Sequence, residues 1–362
     1  MRALVASSFH VSSTRDVWVK IVRGLQANGV EAVAFDLSGR YTLFSFLHQK
    51  MEQSKRNLPR DWTPNTLAYE ALLGAALFHN VDWVLVTSPQ YMPSEIPQLM
   101  RKAGLKTAAM MTECPYEDTI HTPITAAAFD AVFVNDLYSR GLFQSFCPIV
   151  EYIPHSYDPT TSYPGAGPKD ENIVFVGTGY RSRIELMKKV EWPVRLDLHG
   201  WFPKEWLRYD TELRKSVRKS NTQWPAGTQD THVGRHLTTV TNPQETGEIY
   251  RRAGASFSIH RESRYVGTKD VIMDGEAYSL GPRSWELAAC KTFQASDYRP
   301  ELVDVFGDSV PMFETPQELG AIMKRAFDDP EWRDDLAEQQ WEKALPYSCH
   351  NTMKTVAQVL AA

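Results

Sequence analysis

The stretch from Tyr278 to Asp297 has the sequence YSLGPRSWELAACKTFQASD and is the most informative part of the chain. Gly281 is followed by Pro282, which suits the first turn of a helix, and the run KTFQASD then predicts a short strand. A helix that begins in this way directs free backbone N–H groups toward an anion. The stretch therefore predicts a helix start that can hold a phosphate group.

The bulk composition bounds the class of protein. With 362 residues, 43% of them apolar, the chain exceeds what one hydrophobic core usually supports, so two domains are expected. The net charge of -5 argues against a protein that coats nucleic acid, although it leaves room for local basic patches on the surface. The four cysteines form no C-x-x-C pair, which disfavours a zinc cage or a disulfide scaffold and fits a reducing cytosol. No run approaches about 20 apolar residues and no export signal is present, so a cytoplasmic protein without a membrane span is expected.

Short apolar runs alternate with helix-length segments along both halves of the chain. Strands and helices that alternate in this way predict parallel, doubly wound sheets whose strands are buried on both faces. The expected fold class is therefore α/β. The runs predicted as strands cover residues 4–6, 30–36, 83–87, 106–112 and 131–136 in the first half, and 172–177, 194–200, 256–260, 291–297 and 310–313 in the second.

The segment PHSYDPTTSYPGAGPKDE separates the two series, because its Pro, Gly and Ser residues cannot continue a helix or a central strand. We expect an N-terminal domain over residues 1–153, a linker over 154–170 and a C-terminal domain over 171–345. A helix over 346–362 is expected to pack back on the first domain. An insertion over about 203–240 mixes Lys and Arg with Trp and Tyr, and either a solvated helix or an acceptor-docking surface would explain it.

Together these features resemble the GT-B glycosyltransferases, and more closely the CgeB-like group, a spore-maturation and phage-associated branch of the family-four-type glycosyltransferases. The matching pieces are FVGTGYRSRIELMKKV from Phe175, IYRRAGASFSIHRE from Ile249, and the long run that begins GPRSWELAACKTFQASDYRPE at Gly281. The resemblance implies two Rossmann-like domains that face an interdomain cleft. It also implies transfer of a sugar from a nucleotide-diphosphate donor, with retention at the anomeric carbon and no cofactor beyond that donor. For a phage-encoded member the compartment would be the host cytoplasm.

The first predicted donor-binding loop follows an apolar strand and has the sequence GTGYRSR. Glycines let the backbone approach a ligand closely, and an arginine fork can reach phosphate oxygens. A tight turn with solvated arginines is the structural alternative. The residues assigned to this loop are Gly177, Gly179, Tyr180, Arg181 and Arg183.

The second predicted donor-binding element is the helix start at Gly281, where Arg283 is a candidate phosphate ligand. Glu286 lies one turn into the helix among apolar residues, where an unpaired carboxylate would be costly to bury. A ribose with two hydroxyls would justify this position, and the resemblance implies that role. An exposed acid or an internal salt bridge is the alternative. The wider family often has a second glutamate eight residues earlier, but this chain has Tyr278 there, which leaves the donor sugar open.

Candidate catalytic residues lie at the predicted strand ends. His260 and Arg261 end the run SFSIHR, at the edge where doubly wound folds place ligands, and could contact the diphosphate or the acceptor. A strand-end histidine that is hydrogen-bonded locally is the structural alternative for His260. His10 and Glu113 also follow predicted strands, and either could orient or deprotonate an acceptor hydroxyl. Since no D-x-D motif is present, we expect no metal, with arginines and backbone amides neutralising the leaving diphosphate. Residues 263–274 are expected to form a loop long enough to act as a lid.

Two other functions stay open. An NAD-dependent oxidoreductase would use Gly177 and Gly179, with Asp197 roughly 20 residues later, but Ser182 stands where the third glycine of that fingerprint belongs. A nucleotide-sugar-binding protein or an epimerase on the GT-B scaffold would carry out no transfer, and Tyr278 in place of an acid keeps this class open. The residues leave the acceptor open among a protein side chain, a glycan, a small metabolite and a nucleic acid.

Overall fold

The computed structural model describes residues 1–8, 13–54, 63–121, 123–179, 181–200, 242–261, 263–266, 269–272 and 276–362. The chain divides into two compact units. The first unit comprises Met1–His155, Asp274–Tyr278 and Cys349–Ala362, and the second comprises Ser156–Met273 and Ser279–Ser348.

The first unit is built on a parallel six-stranded sheet with the strand order β2-β1-β3-β4-β5-β6. Its strands are β1 (Arg2–Ala6), β2 (Glu31–Phe35), β3 (Trp83–Thr87), β4 (Lys106–Met111), β5 (Ala131–Val134) and β6 (Val150–Tyr152). All residues of β3 and β5 are buried, as the apolar runs predict for strands covered on both faces. Because β2 and β3 lie on opposite sides of β1, the winding reverses at β1. The carboxyl ends of β1 and β3 therefore form the topological switch point, where such sheets bind ligands.

Helices cover both faces of this sheet. They are α1 (Ser13–Ala27), α2 (Leu37–Gln53), α3 (Pro64–Phe78), α4 (Glu95–Lys102), α5 (Glu117–His121), α6 (Pro123–Ala126), α7 (Arg140–Gln144) and, at the end of the chain, α14 (Cys349–Ala361). Alternate strand residues enter two cores: Leu4 packs with the α3 side, whereas Val5 packs with Leu25 of α1 and Val356 of α14. Gly24 brings α1 close to α14, since a Cβ at this position would overlap the carbonyl oxygen of Cys349.

The second unit contains a parallel four-stranded sheet with the order β12-β9-β7-β8. Its strands are β7 (Asn172–Val176), β8 (Arg195–His199), β9 (Ala255–Ser258) and β12 (Gln294–Ser296), and β10 (Ser263–Val266) pairs with β11 (Lys269–Ile272) as an antiparallel hairpin. Strands β8 and β9 flank β7 on opposite sides, so this sheet has its switch point at the carboxyl ends of β7 and β9.

The helices of the second unit differ in how they begin. They are α8 (Arg181–Met187), α9 (Pro243–Arg252), α10 (Pro282–Ala289), α11 (Pro300–Phe306), α12 (Pro316–Asp328) and α13 (Pro330–Ala344). Asn242 and Thr315 form capping boxes at α9 and α12, and the Asp329 side chain accepts the Trp332 N–H at α13. Helices α10 and α11 begin instead at Gly281 and Arg299, which make no side-chain cap hydrogen bond.

The predicted α/β class with two doubly wound units is confirmed, and so is the helix followed by a strand in the stretch from Tyr278 to Asp297. The strand predicted over 310–313 is wrong: Met312 forms only an isolated bridge with Ser296, because Pro311 has no N–H for a ladder. The loop predicted over 263–274 contains the hairpin β10-β11, whose Tyr, Val and Ile residues favour strand. Strand β6 was not predicted, and the insertion at 203–240 lies outside the described residues.

Candidate functional site

The end of β7 is the centre of the candidate site in the second unit. Gly177 has a φ of +152°, a conformation that favours glycine, and its N–H donates to the carbonyl of His199 at 2.8 Å. The Nε of Arg283 donates to the Val176 carbonyl at 2.6 Å, and the guanidinium carbon lies 4.2 Å from the centroid of the Phe175 ring. The same guanidinium fills the space that a Cβ at residue 177 would need. A side chain at residue 177 would therefore have to displace the Arg283 guanidinium from this position.

A second glycine at this edge was missed in the sequence. Gly200 follows β8 with a φ of +120°, and its Cβ would overlap the Gly177 carbonyl oxygen and lie 2.9 Å from the carbonyl carbon. The two glycines therefore pack backbone against backbone where the neighbouring strands β7 and β8 end. A glycine directly after a predicted strand was the available signal.

Arg183 fixes the loop that follows β7. Its side chain is buried, its Nε donates to the Ile259 carbonyl at 2.8 Å, and its Nη1 donates to the Thr178 carbonyl at 2.9 Å. These bonds tie the loop to the end of β9, so several donors of Arg183 already serve the fold. Gly179 is buried in the same loop, whereas Tyr180 and the side chain of Arg181 lie outside the described residues. A phosphate contact from this loop stays a prediction.

The N-terminus of α10 is open. Gly281 has a φ of -76°, which any residue can adopt, and its missing Cβ would meet no atom within 4 Å. The backbone at this position therefore does not require glycine. Its effect is to leave space at a helix end that lacks the usual Ser, Thr, Asn or Asp cap. The first-turn amides and the helix dipole favour an anion there.

Glu286 lies one turn into α10, on the helix face that carries Arg283 and Cys290. Burial and the charge of Glu286 raise the pKa of the Cys290 thiol to about 12. Burial raises the pKa of the Tyr250 phenol strongly, and Glu286 adds to this rise, while a hydrogen bond with Arg283 opposes it. The Glu286 carboxylate is thus near enough to the buried Tyr250 of α9 to raise the pKa of its phenol. Its contact with a ribose stays a prediction.

His260 follows β9 and pairs with Asp297, which follows the adjacent strand β12. The imidazole Nδ1 lies 2.6 Å from Asp297 Oδ1, and the His260 backbone N–H donates to Oδ2 at 2.8 Å. His260 is 7% exposed, and its Nε2 is buried without a hydrogen-bond partner among the described residues. Arg261, the other residue predicted here, accepts a bond from Arg299 Nη2 on its carbonyl at 3.0 Å.

The electrostatics of this pair favour a neutral imidazole. Burial lowers the pKa of His260, and the positive charges of Arg299 and Arg183 lower it further, while Asp297 opposes the fall. The pKa of Asp297 lies below its usual value: burial raises it, but the His260 ring, Arg299 and the His260 N–H outweigh burial. An ionised carboxylate only accepts hydrogen bonds, so Nδ1 carries the proton of the neutral ring. Nε2 consequently presents a lone pair.

The carboxyl edge of the first unit holds a buried polar network around Asp118. Its Oδ2 accepts from the backbone N–H groups of Thr112 and Glu113 at 2.9 Å each and from the Ser88 hydroxyl at 2.8 Å, while Oδ1 accepts from Gln90 Nε2 at 3.0 Å. Burial raises the pKa of Asp118, although these hydrogen bonds oppose the rise. The network fixes the loops after β3 and β4, and it sets the backbone of Glu113, which is partly buried.

Further polar residues follow β5. Asn135 bonds both the N–H and the carbonyl of Cys114, and its Nδ2 lies 3.2 Å from His155 Nε2. Asp136 accepts the backbone N–H of Tyr278 at 2.8 Å. The ring of Tyr278 packs against that of Tyr138, with centroids 5.4 Å apart. The residue at the position of the family's second glutamate is therefore held within the first unit.

Most of the predicted site residues fall on two strand-end edges. In the second unit, hydrogen bonds and ring contacts link Arg283, Gly177 and Arg183 to the ends of β7 and β9, where His260 also lies. Glu113 lies at the corresponding edge of the first unit. His10, predicted there too, lies outside the described residues. The residues that sequence reasoning missed are Asp297, Gly200, Tyr250 and Asp118.

No group of three His, Cys, Asp or Glu side chains that could hold a metal occurs among the described residues. Within the same part of the chain, no helix has the length and apolar character needed to cross a bilayer. The absence of a metal requirement stays a prediction.

Comparison with known proteins agrees with this architecture. Residues 183–361 match the glycosyl transferase-like family. Three similar solved structures are HepE from Anabaena with UDP-glucose (10% identity, 100% of this chain and 99% of that chain, TM-score 0.61), sucrose-phosphate synthase from Thermosynechococcus elongatus (12%, 100% and 97%, 0.59) and a protein from Listeria monocytogenes described as a putative UDP-N-acetylglucosamine 2-epimerase (10%, 98% and 94%, 0.57). No curated protein matches the chain in sequence. The fold is GT-B, and the match of the C-terminal half supports a glycosyltransferase.

Proposed function

We propose that this GT-B protein is a glycosyltransferase that takes a sugar from a nucleotide-diphosphate donor bound by its second unit. The observation that carries the proposal is the position of Arg283: its guanidinium lies against Gly177 at the switch point, beside the open N-terminus of α10. Doubly wound sheets bind ligands at this place. The family match of residues 183–361 covers this helix, and HepE of the same fold was solved with UDP-glucose.

The proposed chemistry rests on positive charge at the leaving group. Departure of a nucleoside diphosphate leaves negative charge on the phosphate oxygens, and fixed donors stabilise that charge as it develops. The first-turn amides of α10 and the Arg283 guanidinium supply such donors. Glu286, on the same helix face, would accept hydrogen bonds from the ribose hydroxyls. Retention of configuration belongs to the proposal because the resemblance implies it, and metal independence belongs to it because the chain has no D-x-D motif.

The first unit would supply groups to the acceptor. The Asp118 network sets the backbone of Glu113 after β4, and His10 follows the β1 run in sequence. Either could orient or deprotonate an acceptor hydroxyl. The acceptor class stays open among protein, glycan, small metabolite and nucleic acid. Membership of the CgeB-like branch, a phage context and a cytoplasmic location also belong to the proposal.

A binding experiment with matched variants tests the donor site. Calorimetry with UDP-glucose, GDP-mannose and dTDP-glucose would compare the wild type with Arg283→Met and Arg252→Met. Arg252 ends α9, is mostly exposed and pairs with Asp170, so its removal deletes the same charge at the opposite edge of the unit. We expect Arg283→Met to weaken binding about 10- to 100-fold, as the loss of a charge-assisted hydrogen bond implies, and Arg252→Met to leave it unchanged. The donor site would be refuted if none of these three nucleotide sugars binds the wild type. It would also be refuted if the two variants lose the same amount of binding affinity.

A nucleotide-sugar-binding protein or an epimerase is the second candidate. Tyr278 stands where the resemblance leads one to expect an acid, and its ring packs against tyrosines of the first unit. A protein of the same fold is described as a putative epimerase. Proton NMR of the donor after incubation separates the classes. Released sugar or a glycosylated acceptor indicates transfer chemistry, whereas a new epimer with the nucleotide still attached indicates epimerisation.

A further inference from the structure

The polar groups at the end of β9 include one that the proposed donor contacts do not use. His260 Nε2 is buried and has no hydrogen-bond partner among the described residues, although the ring's other nitrogen is firmly paired with Asp297. Buried polar atoms in proteins are nearly always satisfied, and an unsatisfied one costs free energy on the order of 1–3 kcal/mol. An unsatisfied buried nitrogen at a ligand-binding edge indicates that a group of the bound ligand supplies the missing hydrogen bond.

The tautomer decides the chemistry of that partner. Asp297 Oδ1 lies 2.6 Å from Nδ1, and its carboxylate takes a second hydrogen bond from the His260 backbone N–H. With the Nδ1 proton held there, the Nε2 of the neutral ring can only accept a hydrogen bond. A phosphate oxygen also only accepts hydrogen bonds, so it cannot donate one to Nε2. A hydroxyl can.

The surroundings keep the ring neutral. Among the described residues, the charged groups that shift the pKa of this ring are Asp297 from the loop after β12, Arg299 from the start of α11 and Arg183 from α8. The two guanidinium groups disfavour a second positive charge, and burial acts in the same direction. The same arginines fix the strand ends through backbone carbonyls, so their positions are set by the fold.

We infer that His260 accepts a hydrogen bond on Nε2 from a hydroxyl of the bound nucleotide sugar, and that Asp297 is the positioning residue that selects the required tautomer. This assignment rests on the proposed donor site in the second unit, because His260 lies at the carboxyl edge of that unit's sheet. It separates two tasks at one edge. Arg283 and the α10 amides would bind the diphosphate, whereas His260 would accept a hydrogen bond from a hydroxyl group.

The tautomer is measured directly by ¹⁵N NMR of the imidazole nitrogens at pH 7, assigned with His260→Gln. We expect the wild-type His260 to be protonated on Nδ1 only. Asp297→Asn offers an amide N–H to Nδ1 and is expected to move the proton to Nε2. A wild-type ring protonated on Nε2, or an unchanged tautomer in Asp297→Asn, would overturn the positioning role. Far-ultraviolet circular dichroism and a melting curve establish that each variant is folded.

Binding measurements then test whether a sugar hydroxyl is the group that donates to His260. UDP-glucose, GDP-mannose and dTDP-glucose are each titrated against their own nucleoside diphosphate. For the nucleotide sugar that binds, we expect His260→Phe and Asp297→Asn to weaken it about 5- to 10-fold, the value of one hydrogen bond, without weakening the nucleoside diphosphate. Equal losses for the two ligands, or no loss, would overturn the hydroxyl contact while leaving the donor site intact. If neither ligand class binds the wild type, the donor site itself fails and the hydroxyl contact with it.

Discussion

Replacing Gly24 with alanine tests the packing of the C-terminal helix α14 on α1. Gly24 lies inside α1, where alanine normally stabilises a helix by about 0.5–1 kcal/mol. Here the new Cβ would overlap the Cys349 carbonyl oxygen and would lie 2.9 Å from the Cβ of Met353. The carbonyl cannot rotate away freely, because Asn28 donates to the next carbonyl along, that of His350, at 2.7 Å. The helices must therefore separate.

The expected magnitude follows from these opposing effects. Overpacking of a tight interface costs about 1–3 kcal/mol, and the gain in helix propensity offsets about 0.5–1 kcal/mol of it. Gly24→Ala should therefore destabilise the first unit by about 1 kcal/mol, and by no more than about 2.5 kcal/mol. Gly74→Ala is the matched control: it lies inside α3, a Cβ there meets nothing within 4 Å, and a gain of about 0.5–1 kcal/mol is expected.

Urea unfolding followed by fluorescence, together with hydrogen exchange of peptides from α1 and α14, measures both effects. The midpoint should fall for Gly24→Ala and rise for Gly74→Ala, with faster exchange in Gly24→Ala confined to α1 and α14. If Gly24→Ala gains stability as Gly74→Ala does, then α14 does not lie against α1 at this position, and the reasoning is refuted.

Three further outcomes are expected. In urea unfolding, Gly200→Ala should lower the free energy of unfolding by about 2–3 kcal/mol, because residue 200 has a φ of +120° and its Cβ would overlap Gly177. The control Gly281→Ala should change the free energy of unfolding by less than about 0.5 kcal/mol. Burial lowers the pKa of His155 to about 3, with a smaller effect from a nearby lysine, so the unfolded state binds the proton more tightly. Stability should fall by about 2 kcal/mol between pH 6.5 and 5, and a His155→Gln variant that keeps this slope would contradict the assignment. Asp118→Ala leaves four donors without their acceptor and should cost on the order of 3 kcal/mol; a thermal melt no lower than that of Asp118→Asn would count against the network.

Several parts of the candidate site could be predicted because their signals are local. Pro282 after Gly281 marks the start of α10, and the spacing within that helix places Glu286 on the same face as Arg283. The glycine after the apolar run of β7 marks a strand end. These positions depend on neighbours a few residues away, so the chain alone specifies them.

Other parts depend on which strands lie side by side. Asp297 reaches His260 because β12 pairs with β9, although 37 residues separate the two positions in sequence. Gly200 meets Gly177 because β8 pairs with β7. The alternation of apolar runs predicts parallel strands without giving their order, so neither contact could be inferred in advance.

By itself the sequence determined the α/β class, most of the strands, the helix starts and the candidate anion-binding turn, since periodicity and capping are short-range properties. Only the tertiary structure decided which strand ends meet. The tautomer of His260, the mutual fit of Arg283 and Gly177, and the place of Tyr278 in the first unit all follow from the strand order and from the path of the chain between the units. Contacts across a sheet are set by packing over long sequence separations, which local patterns do not encode.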